Sequence, residues 1–411
     1  MIKTEEVDNK AQEERGTGGK QRGIIKSKEI LCSSSSVLLD AVRFGAAMAV
    51  LYSHFAHAGF ASGLREATTA GNLAVAIFFV LSGFVIRFVS LSRETDLRRY
   101  AIDRASRIYS VVIPALLLSF LLTSLAHRID ATRYGALKVE TSSLHAFWVT
   151  LTNLTFTSQL WGYEIAPPCN GPFWSIAYEA IYYVLYGLMF YRVRSRWLWF
   201  CLILLIAGPT IAFNGLFWLL GCVTYDLFAG LRNQKNAVRY VSLLVCAYAA
   251  ALLLGRHPIA TFLRETSRER RLTASTHFIT GIFPDAARLS TSEGLPWLAR
   301  CSTSFFFASV ATALVMLLTL LFLDRSFPDV PAQLVKSVRV VADSTFTLYL
   351  VHLPMLVLMG TLIGHPVVSL WAKIAFPASV ILLCILLSRS FDAFKFYIRK
   401  TLLRLTEQGP G

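Results

Sequence analysis

Long apolar runs, separated by short basic stretches, set the pattern of this chain. One of them, GNLAVAIFFVLSGFVIRFVSL at residues 71–91, holds a Ser-Gly pair in its middle and an Arg near its end. A helix needs about 20 apolar residues to cross the hydrocarbon of a bilayer. By that measure the sequence predicts ten spans, near 38–58, 73–92, 107–126, 173–190, 196–213, 215–231, 238–255, 303–323, 343–361 and 368–388. Only the FNG of Phe213 to Gly215 divides the fifth from the sixth, and losing that pair would leave eight.

Composition agrees with the pattern. The 411 residues are 55% hydrophobic and 16% charged, with a mean hydropathy of +0.54. A soluble domain carries about 25% charged residues. The fold expected is therefore an all-α polytopic membrane protein with membrane lipid as its surroundings. The formal charge of +15 fits basic residues held at one membrane face. Zinc-finger spacing, a phosphate-cradling glycine loop and a basic-aromatic stripe are absent from the sequence, so no nucleic-acid partner is expected.

The basic residues assign sides. Arg93, Arg98, Arg99 and Arg104 follow the second span, Arg192, Arg194 and Arg196 the fourth, and Arg389, Lys395, Arg399, Lys400 and Arg404 the last. The positive-inside rule then puts both termini in the cytoplasm. Residues 256–302, with RETSRERR, are the exception and are read as a long outside loop, a cover for a site or plain connector. The chain divides into a flexible cytoplasmic tail at 1–37 without a cleaved-signal pattern, a transmembrane domain at 38–388 and a second cytoplasmic tail at 389–411. None of the seven cysteines makes a CxxC pair, so no metal is expected. Cys169 and Cys301 fall in outside loops, where a disulfide between them is one option.

Ionisable groups inside spans are expensive and usually functional or paired. Arg43 and His54 are eleven residues apart, close to three helical turns, and so share a face about 16 Å apart along the axis. Asp40 is placed to pair with Arg43. Imidazole takes and gives protons near neutral pH, so His54 is a candidate general base, or else a structural histidine. Glu179, counted inward from an interfacial Trp174, is expected at the depth of His54 and could orient it; a helix-helix polar contact is the other reading. His352 is a second buried histidine, with Pro354 two residues on to break the helix and free a carbonyl. Arg104 and Arg107 lie one turn apart and could clamp phosphates, or simply mark the basic side. Ser82 is a weak nucleophile candidate, lacking a GxSxG elbow; Ser82 and Gly83 read more readily as close helix packing.

Together these residues resemble the membrane-bound acyltransferase-3 family. The matching elements are Arg43 with His54, FFVLSGF at Phe78–Phe84, Arg104 with Arg107, Trp174-Ser175 with Glu179, and Tyr349-Leu350 with His352. The resemblance runs over about 38–388. It implies ten core helices in the inner (plasma) membrane and an acyl-CoA donor, most often acetyl-CoA. It also implies a surface carbohydrate or glycolipid hydroxyl as acceptor. It implies His54 and Glu179 at the catalytic site and Arg43, Arg104 and Arg107 at the donor. The chain resembles the stand-alone form, without a fused SGNH hydrolase-like domain. Ala180 follows Glu179 where the family often has Glu or Gln, which leaves a second polar position unfilled. The competing reading from the spans alone is a transporter of a lipid-linked or sugar substrate.

Overall fold

The computed structural model of the chain describes residues 31–57, 60, 70–92, 96–130, 142–254, 303–363 and 367–407. Among them are twelve α-helices. They are α1 (Ser33–His57), α2 (Ala70–Ser92), α3 (Leu97–Ile129), α4 (Ser143–Leu154), α5 (Trp174–Phe190) and α6 (Arg196–Ala207). Then follow α7 (Pro209–Leu231), α8 (Ala237–Leu254), α9 (Thr303–Ser326), α10 (Ala332–Asp343), α11 (Thr345–Ile363) and α12 (Leu370–Glu407). Among the described residues, seven are long and apolar enough to cross a membrane: α1, α2, α3, α7, α9, α11 and α12. The other three expected segments are occupied by α5, α6 and α8. Large apolar side chains point outward, Leu117 of α3, Leu198 of α6 and Trp371 of α12 among them. In water such a surface would aggregate; facing lipid tails it is solvated. The protein is an all-α polytopic membrane protein.

Several boundaries differ from the sequence reading. The division expected at Phe213–Gly215 lies instead at Gly208–Pro209. Gly208 takes φ +87°, which favours glycine, and Pro209 opens α7, where its missing N–H is harmless. Phe213 to Gly215 are helical. The basic stretch before the third span is also helical: Asp96 caps α3 by accepting from Arg99 N at 2.8 Å, and Arg98 to Arg107 follow as helix. Likewise α12 continues past 388 to Glu407. The helices α4 and α10 were not anticipated, being twelve residues each and too short to span.

Two helices organise the bundle. α2 packs against α1, α7 and α9, while α11 packs against α3, α12 and α1. At the α2–α7 crossing a Cβ on Gly83 would stand 1.9 Å from Trp218 O, and one on Gly221 2.0 Å from Val80 O. The two backbones touch because both helices present glycine there. This accounts for the Gly of FFVLSGF. The nearby Arg87 is held by Asp226 of α7 at 2.8 Å and lies over the Phe190 ring.

Pro354 does not break α11, which runs unbroken from Thr345 to Ile363. Proline removes the N–H that would reach the carbonyl four residues back, here Leu350. Asn170 Nδ2 donates to Leu350 O at 2.8 Å and to Ser119 Oγ at 2.8 Å. The carbonyl freed by the proline is thereby satisfied from the segment that leads into α5.

Candidate functional site

A cavity of about 160 Å³ lies between α1, α2, α3, α5, α10, α11 and α12. Its walls gather residues from separate parts of the sequence: Arg43, Ser82, Arg104, Arg107, Ser175, Glu179 and Tyr349. At the end rich in basic residues stand Asp40, Asp343, Asp392 and Lys395. The lining thus holds four cations and four carboxylates, so net charge alone does not select an anionic ligand.

Arg43 Nη2 donates to Asp40 Oδ1 at 2.7 Å, the pairing expected from their i,i+3 spacing. Arg104 lies over the rings of Tyr100 and Tyr183, at 5.7 and 6.0 Å from their centroids. Deeper in the cavity Glu179 is the hub. Ser82 Oγ donates to Glu179 Oε1 at 2.7 Å, and Tyr183 OH donates to the same oxygen. Trp218 Nε1 in turn donates to Ser82 Oγ at 3.1 Å. Ser82 therefore has its proton on a carboxylate and its oxygen under an indole N–H, the setting of a fixed structural hydroxyl. At the far end Ser175 Oγ and Tyr349 OH are 2.7 Å apart, and the Tyr349 ring meets that of Phe78 edge-on with centroids 5.3 Å apart.

His54 and His352 do not line this cavity. They face each other, ring centroids 5.3 Å apart and tilted by 39°. His352 is fully buried, with Nδ1 2.8 Å from Leu348 O. It lies three residues beyond Tyr349 on α11, about 4.5 Å along the axis. The histidine pair thus begins where the cavity ends.

Glu179 and His54 are not brought together. Ser53 of α1 faces Gly71 of α2, since a Cβ on Gly71 would stand 2.6 Å from Ser53 Oγ. Counting back along α1 and forward along α2 from that contact, the position level with Ser82 is near Arg43, about 16 Å from His54. Glu179, bonded to Ser82, shares that level. The sequence estimate counted the depth of Glu179 from Trp174 alone, without the contacts across the bundle. Trp174 packs on Phe79 and Tyr178, and Asn170 before it is already buried. The chain enters the bundle before α5 starts. Asn170 is the polar residue that sequence reasoning missed. Pro354 was the signal, because the carbonyl it frees needs a donor. Cys301, the partner considered for Cys169, and the 256–302 loop lie outside the described residues; among the described residues no group of His, Cys, Asp or Glu is arranged to hold a metal.

These contacts join motif to motif: FFVLSGF to Glu179, Ser175 to Tyr349, His54 to His352. The family model for an acyltransferase domain matches residues 37–389. The chain belongs to this acyltransferase family. It is similar to the acyltransferase MdmB of Streptomyces mycarofaciens, at 29% identity over 175 residues. That match spans 40% of this chain and 42% of the relative's length. No solved structure matches.

Proposed function

We propose that the protein transfers an acyl group, acetyl as the first candidate, from acyl-CoA to a hydroxyl of a carbohydrate or glycolipid acceptor, in the inner (plasma) membrane with both chain ends in the cytoplasm. The observation that carries the reading is the cavity itself. It starts among Arg43, Arg104 and Arg107 and ends at Ser175 and Tyr349, one turn from His352 and its partner His54. Guanidinium groups at the basic end suit the phosphates of CoA, because charge-assisted hydrogen bonds to phosphate are strong and directional. The thin pantetheine arm would follow the cavity inward and bring the thioester past Phe78 and Tyr349.

A hydroxyl is a poor nucleophile until its proton is taken. In the proposed step His54 accepts the acceptor's hydroxyl proton as its oxygen attacks the thioester carbon. The C–S bond breaks, and the departing thiolate takes the proton back as CoA-SH. Direct transfer is favoured over an acyl-Ser82 relay, since Ser82 is committed to Glu179 and Trp218 and sits about 16 Å from His54. Glu179 is assigned to the donor cavity, as the counter-charge to its arginines and the anchor of Ser82 and Tyr183. The test is mass spectrometry of surface glycans from cells with and without the gene. Loss of one acyl unit per acceptor, restored by the gene, supports the reading; unchanged acylation of every surface and secreted glycan overturns it.

A further inference from the structure

With Glu179 at the level of Arg43, the residue that orients His54 has to be found elsewhere. We infer that His352 is the positioning partner of His54: its Nε2 lone pair accepts an N–H from the His54 imidazole, which fixes the tautomer of the base and stabilises its charged form. The inference rests on the proposed role of His54 as base. A backbone carbonyl only accepts, so the 2.8 Å contact with Leu348 O puts the proton of His352 on Nδ1. Nε2 is then an acceptor. It is buried and has no hydrogen-bond partner in the structure. Burying such an atom without a partner is unfavourable, so a donor is expected at this edge.

The polar ring packed against His352 is that of His54. An N–H···N bond of ~2.9 Å between two imidazoles sets their centroids about 5 Å apart. The observed separation is 5.3 Å, so a small rotation of the rings completes the bond. Apo sites often hold such bonds long or misaligned. The arrangement also fixes the partner. The Leu348 carbonyl holds the Nδ1 side, while Asn170 on the freed Leu350 carbonyl keeps the helix around Pro354 closed. When His54 takes the acceptor's proton, the new imidazolium has a neutral lone pair beside it instead of bare hydrocarbon.

The direct test is solid-state NMR of the full chain in lipid bilayers with ¹⁵N-labelled histidine, read without donor or acceptor. The expected result is one histidine protonated on Nδ1, its Nε2 in N–H···N contact with a second histidine, the correlation vanishing in both His54→Gln and His352→Gln. His352 protonated on Nε2, or no contact between the two rings, would overturn the pairing. The kinetic arm measures CoA release from acetyl-CoA over a membrane glycan extract. Glutamine places an acceptor near the Nε2 position and asparagine does not. So His352→Gln should stay within about tenfold of wild-type kcat while His352→Asn falls by about 10²-fold, both with unchanged KM for acetyl-CoA. Equal losses in the two variants would overturn the positioning role. If the NMR contact is present and wild type releases no CoA, the pairing is supported and the acyl-transfer reading fails.

Discussion

Gly83→Ala puts a methyl group into the tightest place in the bundle. The added Cβ would stand 1.9 Å from Trp218 O, with Trp218 C at 3.0 Å and Cys222 N at 3.2 Å. All three are backbone atoms, so no side chain can rotate away. Ordinary contact begins at 3.4 Å, so α2 and α7 must part by about 1.5 Å. Overpacking of this kind costs about 1–3 kcal/mol. The parting also stretches the 3.1 Å bond from Trp218 Nε1 to Ser82 Oγ beyond reach, for about 1 kcal/mol more. Alanine returns about 0.5–1 kcal/mol of helix propensity. The net loss is about 2 kcal/mol, a fall of about 4 °C in apparent Tm. Gly45→Ala is the control, for nothing lies within 4 Å of a Cβ there, and it should gain the propensity term alone. The assay is the temperature at which detergent-solubilised protein loses its monodisperse peak. If Gly83→Ala is as stable as Gly45→Ala, the close crossing does not exist as described.

Three further outcomes follow from the cavity. Arg104→Ala with Arg107→Ala should weaken CoA binding, measured calorimetrically, by at least tenfold, since hydrogen bonds to charged groups contribute about 1.5–3 kcal/mol; unchanged affinity would move the donor elsewhere. Glu179→Ala removes the acceptor of Ser82 and Tyr183 and should destabilise by about 1–3 kcal/mol, whereas Glu179→Gln keeps an acceptor and should lose less than about 1 kcal/mol, both read by thermal denaturation. Phe78→Trp narrows the passage beside Tyr349 and should lower transfer about tenfold or more while CoA affinity holds; wild-type transfer would show that the thioester takes another route.

Much of this was legible in the sequence. Hydropathy located the segments because a bilayer demands a fixed apolar length. Gly83 was legible as a contact because small residues let membrane helices touch, and Asp40–Arg43 because i,i+3 neighbours meet on a helix. Relations across the bundle were not. The depth of Glu179 depends on where the chain enters before α5, and on Trp174 packing against Phe79 and Tyr178. The α6–α7 break was placed at Phe213 to Gly215, which are tolerated inside a helix, in preference to Gly208–Pro209, which stop one and start the next. The amphipathic α10 escaped notice because hydropathy averages its two faces together, and it packs on α1 all the same.

The central claim is that His54 activates an acceptor hydroxyl against an acyl-CoA held by the donor-side arginines. The measurement that tests it most directly is label transfer from [¹⁴C-acetyl]-CoA to a membrane glycan extract, by purified wild type and His54→Ala reconstituted in lipid nanodiscs. The account predicts labelled glycan with wild type and a loss of at least about 10²-fold with His54→Ala, while the variant remains monodisperse and binds CoA with wild-type affinity. Near-wild-type labelling by well-folded His54→Ala would contradict it.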